Sequence, residues 1–459
     1  MKKNLIKLIA LASIVTASAN LLIGCSKEDK KTENKDGKPA VMETIQVWSN
    51  NASTKAEDEK LIEDFNNGAG KEKGIKIEYK IYGADYANVL SVALAADQGP
   101  NLFKVPQVSL AQYATVGYIL PLEDMPGGKD YIKTFGNSLQ PGYNIIKGKT
   151  YTVPQSISTL GVAYNKDLLK KNGFNNPPAT WSELEEMAKT ITKNGNGKEF
   201  GFIEGLKSIG YASVNGIWQY ASSIGHNEFD QATGKFDFSS MKPFIERLSN
   251  MKKAGYWFPG SEGLNNDAAR AQFAEGNIGF KLSASWDAGV WKEQFPSKME
   301  WGICRPVEDT NTKYKNYTYQ TFSFAIGSKS KDKKEKALEV LKLFTSDEAA
   351  VKLYEDGKAI PYKADIVKNA KNKPTTKNFD AFADISDAYL YPLTPKGDLK
   401  LEGESVENVL AKLIIQGGDI KGGLADLDKR YNDALDKAVA KGLDINGFID
   451  KTDTKSKSK

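Results

Sequence analysis

The chain has 459 residues, of which 40% are hydrophobic and 26% are charged, and its formal net charge is +5 at pH 7. This length exceeds what a single hydrophobic core usually organises, so we expect two folded units. The lysines are scattered among acidic residues, and this distribution excludes the basic stripe expected of a nucleic-acid-binding protein.

The first 24 residues have the features of a secretory signal. Three lysines precede a mostly apolar run over residues 8–23, a pattern typical of a cleaved leader rather than of a membrane-spanning helix. The run ends in Leu22-Ile-Gly-Cys25, which resembles the bacterial lipobox, whose cysteine becomes the lipid-bearing N-terminus. We therefore expect a signal peptide over residues 1–24 and a lipid anchor on Cys25, since more than one acyl chain holds a protein durably at a membrane.

Polar segments without apolar periodicity flank the expected folded part. Residues 25–43 are rich in Lys, Glu, Asp and Asn, and we expect them to form a flexible tether between the lipid and the folded part. Residues 451–459 have a similar composition and are expected to form a polar tail.

Three strand-then-helix units follow the tether. The strands are expected at residues 44–48, 75–81 and 102–105, and the second of them alternates strictly between apolar and polar side chains. Each strand is followed by a helical segment, and Asp85 stands where the second helix needs an N-cap. Three such units predict a parallel sheet flanked by helices, in which ligands bind at the carboxyl ends of the strands.

A run of β-formers over residues 148–166 is expected to pass from one folded unit into the other. Pro154-Gln-Ser156 interrupts this run, because proline cannot donate to a central ladder. Small polar side chains therefore lie mid-strand, where a crevice could use them. A second β run over residues 317–326 is polar at Tyr319-Gln-Thr321 and apolar afterwards, which makes it a candidate for the return path.

The remaining segments are mainly helical. Thr180 and Glu183 form a capping box at the start of a helix that ends near Ile191. A strand is expected over residues 278–282, and further helices are expected over residues 217–220, 241–253, 268–274, 332–345, 346–355, 406–416 and 424–441. We assign four tryptophans to the core, namely Trp181, Trp257, Trp291 and Trp301.

Several short motifs stand in order along the chain. They are Gly99 to Phe103 with Gly117 to Leu122, Gly148 to Pro154, Tyr164 to Lys166 with Pro177 to Trp181, and Phe273 to Gly276 leading up to Trp286. Their order and spacing cover residues 45–439 and, together with the lipobox, resemble family 1 extracellular solute-binding proteins. These are the sugar-binding lipoproteins of ABC importers and are relatives of the maltose-binding protein.

The resemblance implies an α/β, two-lobed periplasmic-binding-protein-like fold of type II, with three interlobe crossovers and a sugar held in the cleft between the lobes. It implies crossovers at residues 155–159, at the strand beginning near Tyr317, and near Ile360-Pro361. The N-terminal lobe is then expected to comprise residues 44–156 and 317–360, and the C-terminal lobe residues 157–316 and 361–450.

The same resemblance implies a set of ligand residues at the strand ends, on the crossovers and in the second lobe. They are Trp48, Asn50, Asp85, Gln107, Ser109, Gln155, Ser158, Asn215, Trp218, Trp286, Tyr319 and Gln320. The sequence departs from the maltose-binding pattern, since Val108 and Ser109 replace an acidic and a basic residue and Ser158 replaces a crossover carboxylate. These departures weigh against maltose itself.

The residue types of this set suit a neutral sugar. Amide, carboxylate and hydroxyl groups can bind sugar hydroxyls, while Trp and Tyr planes match the apolar faces of the ring. An anionic ligand would instead need a fixed Arg or Lys. None of the four arginines, Arg247, Arg270, Arg305 and Arg430, stands at a strand end that faces the expected cleft, so the sequence weighs against an anionic ligand.

The expected function is that of a lipid-anchored receptor on the extracytoplasmic face of a bacterial cell membrane. It would capture a sugar or oligosaccharide and deliver it to ABC permease subunits as a monomer, with no metal, cofactor or nucleic-acid partner.

The alternative is a membrane-anchored glycoside hydrolase. Such an enzyme needs two suitably placed carboxylates, whereas Asp85 is the single carboxylate among the expected cleft residues. A third alternative, an adhesion lipoprotein, does not explain the polar crossover strands. A Cys/His nucleophile is not expected, because Cys304 is distant in sequence from the sole histidine, His226.

Overall fold

The computed structural model describes residues 42–449 except 84, 107–108, 208–216, 222–224, 308–315, 386–387 and 392. The expected signal peptide, the expected lipid site Cys25, the tether up to residue 41 and the tail over residues 451–459 lie outside the described residues. No helix in the described part of the chain combines the length and the apolar character that are needed to span a membrane.

The first sheet has four strands. They are β1 (Glu43–Ser49), β2 (Ile75–Ile81), β3 (Leu102–Lys104) and β13 (Phe324–Ile326). Their order is β13-β3-β1-β2, and β1 pairs in parallel with both β2 and β3. This confirms the parallel sheet predicted from the sequence, and β13 joins its edge antiparallel to β3.

Helices cover both faces of the first sheet. They are α1 (Lys55–Asn67), α2 (Ala69–Lys73), α3 (Tyr86–Ala95), α4 (Leu110–Val116), α5 (Gly128–Lys133), α12 (Lys334–Phe344) and α13 (Asp347–Glu355). Successive side chains of a strand point to opposite faces. Leu102 accordingly packs in one apolar cluster with Ile62 of α1, whereas Phe103 packs in another with Leu90 of α3.

The second sheet is built around one long strand. Its members are β6 (Pro154–Asn165), β7 (Phe200–Ile203), β10 (Ile278–Ala284), β11 (Trp301–Cys304), β12 (Asn316–Phe322) and β14 (Ala388–Leu390). The order is β14-β12-β6-β10-β7, and β11 also pairs with β6. Because β6 pairs antiparallel with β10, β11 and β12, this 12-residue strand connects the whole sheet.

The second sheet is also enclosed by helices. They are α6 (Lys166–Lys171), α7 (Trp181–Asn194), α8 (Ile217–Ala221), α9 (Lys242–Lys253), α10 (Asn266–Ala274), α11 (Asp287–Glu293), α14 (Ala364–Lys368), α15 (Phe379–Phe382), α16 (Val406–Gln416) and α17 (Ile420–Ala440). Two short hairpins join β4 (Ile145–Ile146) to β5 (Lys149–Thr150) and β8 (Phe229–Asp230) to β9 (Lys235–Phe236). Trp181, Trp257, Trp291 and Trp301 are at most 3% exposed, which confirms their assignment to the core.

The start of α7 shows how the sequence sets a helix boundary. The Thr180 hydroxyl accepts a hydrogen bond from the backbone N–H of Glu183 at 3.2 Å, as the predicted capping box requires. The Glu183 carboxylate accepts from the N–H of Ala179 at 2.7 Å, one residue before the position that the motif predicts. Both side chains therefore satisfy backbone donors where the helix begins.

Two passages of the chain lie next to the first half of β6, so that three passages run side by side. β12 pairs with this half, from Thr318 opposite Thr159 to Phe322 opposite Pro154. The N–H of Ile157 donates to the carbonyl of Ile360 at 2.8 Å. These are the three segments expected to cross between the lobes, and their proximity follows from strand pairing rather than from sequence distance.

Two strand predictions are corrected. Pro154 does not interrupt a strand but begins β6, where its missing N–H is tolerated. Residues 317–326 do not form one strand, because Ser323 separates β12 from β13. Its N–H donates to the Val153 carbonyl at 2.9 Å and its hydroxyl accepts from the Val153 N–H at 3.1 Å. The chain can therefore leave the second sheet and enter the first within one residue.

Candidate functional site

A cleft of about 460 Å³ opens at the carboxyl ends of β1 and β3 and along the crossover strands. Ligand pockets commonly have volumes of roughly 300–1,000 Å³. The described residues that line the cleft are Asn50, Asn51, Ser53, Thr54, Lys104, Val105, Gln155, Ser156, Ile157, Ser158, Ser285, Trp286, Gln320, Thr321, Leu353, Lys358 and Ala359. Both sheets contribute to this lining, so a bound molecule would contact both.

The segment after β1 presents amide and hydroxyl groups to the cleft. The N–H of Asn51 donates to the Ser49 hydroxyl at 3.1 Å, and the Ser53 hydroxyl donates to the Asn51 side-chain oxygen at 2.6 Å. The hydroxyl of Thr54 donates to Asp58 at 2.9 Å. These contacts fix the loop that leads into α1, while Asn50 remains exposed.

The crossover strands supply two glutamines. Gln155 lies near the start of β6, where its side-chain oxygen accepts from Lys104 Nζ and its amide nitrogen donates to the Phe344 carbonyl at 3.2 Å. Gln320 of β12 donates to the Ser138 carbonyl at 3.0 Å. The Oε1 atom of Gln320 is buried and accepts no hydrogen bond from the described residues. A buried acceptor without a partner is costly, and this one belongs to a residue that lines the cleft.

Lys104, the last residue of β3, is a cleft residue that the sequence prediction missed. Its side chain is 9% exposed, and its Nζ atom donates to Gln155 and lies 4.7 Å from the centre of the Phe324 ring. Burial lowers the pKa of Lys104 to about 8, although the nearby Asp58 acts in the opposite direction. The lysine therefore remains largely protonated at pH 7. The sequence signal for this residue is weak, because the strand expected over residues 102–105 places Lys104 before the strand end.

A turn after β10 places Trp286 in the cleft. Trp286 is 38% exposed, although it directly precedes α11. The Asp287 carboxylate accepts hydrogen bonds from the Ser283 hydroxyl at 2.9 Å, from the Ala284 N–H at 3.2 Å and from Arg270 Nε at 2.7 Å. Since this carboxylate joins three segments of the chain, it holds the turn while the indole stays available for contact with a ligand.

The structure brings together five of the residues expected at the site, namely Asn50, Gln155, Ser158, Trp286 and Gln320. Four other expected residues are described but are not among the lining residues, namely Trp48, Asp85, Ser109 and Tyr319. Gln107 and Asn215 lie outside the described residues. Trp218 belongs to α8, but its side chain is not part of the described structure.

The expected residues outside the lining have other surroundings. Trp48 is half-buried, with its ring centre 4.8 Å from that of Tyr82. Tyr319 lies 5.3 Å from Tyr391, with the two rings stacked. Asp85 occupies the N-cap position of α3, but its side chain makes no capping hydrogen bond, which corrects the predicted cap. Ser109 stands at the N-cap position of α4, also without a side-chain capping bond.

Two structural comparisons identify the fold. RafE from Streptococcus pneumoniae, in its apo form, superposes with a TM-score of 0.67 at 19% identity, covering 86% of this chain and 99% of RafE. The cyclic alpha-maltosyl-1,6-maltose binding protein from Arthrobacter globiformis superposes with a TM-score of 0.67 at 16% identity, covering 86% and 100%. The chain therefore has the two-lobed α/β fold of type II that the family resemblance implied.

Sequence comparisons agree with the fold. The multiple sugar-binding protein of Streptococcus mutans is 25% identical over 380 residues, which cover 80% of this chain and 85% of the relative. The melibiose/raffinose/stachyose-binding protein MelE of Bacillus subtilis is 26% identical over 246 residues, or 51% and 53%. Binding proteins of Brucella abortus and Brucella suis are 25% identical over 282 residues, and the chain spans 66% of their length.

A family model described as bacterial extracellular solute-binding protein matches residues 49–351, which is more than half of the chain. The match begins at Ser49, the last residue of β1. It includes the crossover strand β6, the turn that carries Trp286, and α12. The chain therefore belongs to the family of bacterial extracellular solute-binding proteins.

Proposed function

We propose that this protein captures a sugar or oligosaccharide in the cleft between its lobes and delivers it to the permease of an ABC transporter. The observation that carries the proposal is the combination of the exposed Trp286 with amide and hydroxyl side chains from both sheets in one cleft. An indole plane suits the apolar face of a sugar ring, and amides and hydroxyls suit its hydroxyl groups.

The relatives support a saccharide as the solute. The Streptococcus mutans relative is named for multiple sugars, and the Bacillus subtilis relative is named for melibiose, raffinose and stachyose. We extend this ligand class to the present chain because its cleft offers the same kinds of groups that saccharides need.

We further propose that the protein is a receptor rather than an enzyme. Glycoside hydrolysis uses two carboxyl groups on either side of the scissile bond. None of the described residues that line the cleft is Asp or Glu. The receptor function therefore accounts for the cleft better than the alternative of a carbohydrate-processing enzyme.

Calorimetric titration of the purified full chain with malto-oligosaccharides, raffinose-series sugars, chito-oligosaccharides and oligogalacturonides tests this function, with chromatography of the sugars after incubation. We expect saturable binding of at least one series and full recovery of the intact sugar. Cleaved product would contradict the receptor function, and absence of binding to every sugar would contradict the proposed ligand class.

We also propose that Cys25 carries the lipid that holds this monomeric receptor at the extracytoplasmic face of the membrane. The support is the lipobox-like sequence before Cys25. In bacteria grown with an alkyne-labelled fatty acid, the wild-type protein is expected to become labelled and to sediment with membranes. The Cys25→Ala variant is expected to lose the label, and equal labelling of both proteins would contradict the proposal.

A further inference from the structure

The charged side chains among the described residues that line the cleft have one sign. Among the described lining residues, Lys104 and Lys358 are basic and none is acidic. A neutral sugar hydroxyl both donates and accepts, whereas a lysine ammonium offers donors alone. The two lysines therefore favour acceptor groups on a ligand, and most strongly acceptors that carry negative charge.

Lys104 is held in place from several directions. Its Nζ donates to Gln155 on the crossover strand and lies 4.7 Å from the centre of the Phe324 ring. Asp58 acts on it electrostatically, but the Asp58 carboxylate already accepts from Thr54 at 2.9 Å and from Tyr79 at 2.8 Å. Asp58 is 5% exposed and is not among the lining residues, whereas Lys104 is.

Lys358 approaches the cleft from the turn after α13. Its N–H donates to the Leu353 carbonyl at 2.8 Å, which fixes the turn just before Ile360. Its ammonium pairs with Glu293 at 2.8 Å, and the Glu293 side chain is 54% exposed. Since Glu293 is not among the lining residues, it holds Lys358 from outside the cleft. Lys358 is therefore the weaker of the two positive groups.

We propose that the saccharide bound in this cleft carries an acidic group, a uronate carboxylate or a sulfate ester, which Lys104 binds and Lys358 assists. This inference rests on the proposed function, and it replaces the neutral ligand expected from the positions of the arginines. Charge-assisted hydrogen bonds are stronger than neutral ones. The loss of such a contact is expected to weaken binding about tenfold or more.

The test compares acidic probes with uncharged counterparts of the same sugar and length. Trigalacturonate and its methyl ester form the carboxylate pair, and the sulfated and unsulfated disaccharides of chondroitin, both as methyl esters, form the sulfate pair. Calorimetry with the purified full chain is expected to show at least about tenfold tighter binding of one acidic probe than of its partner. The pair that shows this preference identifies which acidic group the cleft binds.

Substitution of each lysine by Gln tests whether the lysines cause the preference for the acidic probe. Lys104→Gln is expected to remove the preference for the acidic probe, and Lys358→Gln is expected to reduce it by a smaller factor. Lys377→Gln is the matched control, because Lys377 is 53% exposed and pairs with Glu300, away from the lining residues. A circular-dichroism melting curve for each variant separates loss of the charge from loss of the fold.

The results distinguish the inference from the proposed function. If uncharged sugars bind as tightly as the acidic probes or more tightly, the inference is overturned and saccharide capture stands. The same conclusion holds if a folded Lys104→Gln variant keeps the full preference. If no saccharide of either kind binds, the proposed function is contradicted, and this inference with it.

Discussion

Trp286 exposes an indole to the cleft, and its neighbourhood explains why this is tolerated. The side chain is 38% exposed, whereas Trp181, Trp257, Trp291 and Trp301 are at most 3% exposed. A large aromatic surface left in water at the edge of a cleft is available to a ligand at little cost in packing. The contribution of this residue is therefore expected in binding rather than in stability.

Replacing Trp286 by Ala is expected to weaken sugar binding by about 1–3 kcal/mol, because the stacking surface is lost. Isothermal titration calorimetry measures the affinity, and a melting curve measures the stability. Trp48→Ala is the matched comparison, since Trp48 was also expected at the site but is half-buried against Tyr82. Unchanged affinity in Trp286→Ala with a lowered melting temperature would assign the indole to packing.

His226 is expected to make the stability of the protein depend on pH. Its side chain is fully buried, its Nδ1 lies 2.5 Å from the Ser240 hydroxyl, and burial lowers its pKa to about 3. In the unfolded chain, a histidine has a pKa of about 6.5. Between these two values the unfolded state binds a proton that the folded state does not, so stability is full above pH 6.5 and falls with pH below it.

From pH 7 to pH 5 this group is expected to remove about 2 kcal/mol from the free energy of unfolding. Urea unfolding at both pH values measures the difference. His226 is the sole histidine, so a His226→Gln variant is expected to show a smaller difference between the two pH values, whatever its own stability. An equal difference in the variant and the wild type would mean that other groups cause the pH dependence.

Several single residues of the cleft could be predicted from the sequence. Asn50, Gln155, Trp286 and Gln320 were implied by the family resemblance, and their places after strands or in polar stretches of β runs agree with it. Lys358 could not be found in this way, since it reaches the cleft only through the fold of the turn after α13. Trp48 was expected there, but the sequence does not show on which side of the strand end its ring packs.

At the scale of elements, the turn between β10 and α11 depends on one buried ion pair. Asp287 is 2% exposed and lies 2.6 Å from Arg270 Nη2, while its other oxygen accepts from Ser283 and from the Ala284 N–H. Arg270 also pairs with Asp267 at 2.8 Å, but the Asp267 side chain is 62% exposed. The two aspartates share a partner and differ in burial.

Asp287→Asn is expected to lower the free energy of unfolding by about 3 kcal/mol, because it leaves the buried Arg270 without its main charge partner. It should also weaken sugar binding, since Trp286 precedes this residue in the turn. Asp267→Asn is the control and is expected to cost less than about 1 kcal/mol, as exposed ion pairs contribute little. Urea unfolding measures both, and equal losses would show that the turn does not depend on the buried pair.

Elements with strong local signals were predicted well. The strand Ile75–Ile81 and the helix Val406–Gln416 have the predicted bounds, because strict alternation and capping by Ser405 set them. α17 begins at Ile420, four residues before the predicted start, since Asp419 accepts from the N–H of Gly422 at 2.8 Å. The break at Ser323 could not be predicted, because it depends on Val153, which is distant in sequence.

At the scale of the whole molecule, the cleft is lined by residues from the sides of both sheets. Asn50 and Thr54 belong to the first sheet's side, whereas Ser285 and Trp286 belong to the second sheet's side, and the paired crossovers run beside them. A ligand that contacts both sides favours the arrangement in which both reach it. Binding is therefore expected to order both sides at once.

Hydrogen exchange with mass spectrometry tests this expectation. Saturating sugar should slow exchange in peptides that cover residues 50–54 and in peptides that cover residues 283–287. Peptides from α17 (Ile420–Ala440), which contributes no residue to the lining, serve as the internal control and should change little. At a sugar concentration of 100 times the Kd, the whole protein should gain about 2.7 kcal/mol of stability. Slower exchange on one side of the cleft alone would contradict the joint binding site, because a ligand held by both sheets must reduce the opening of both.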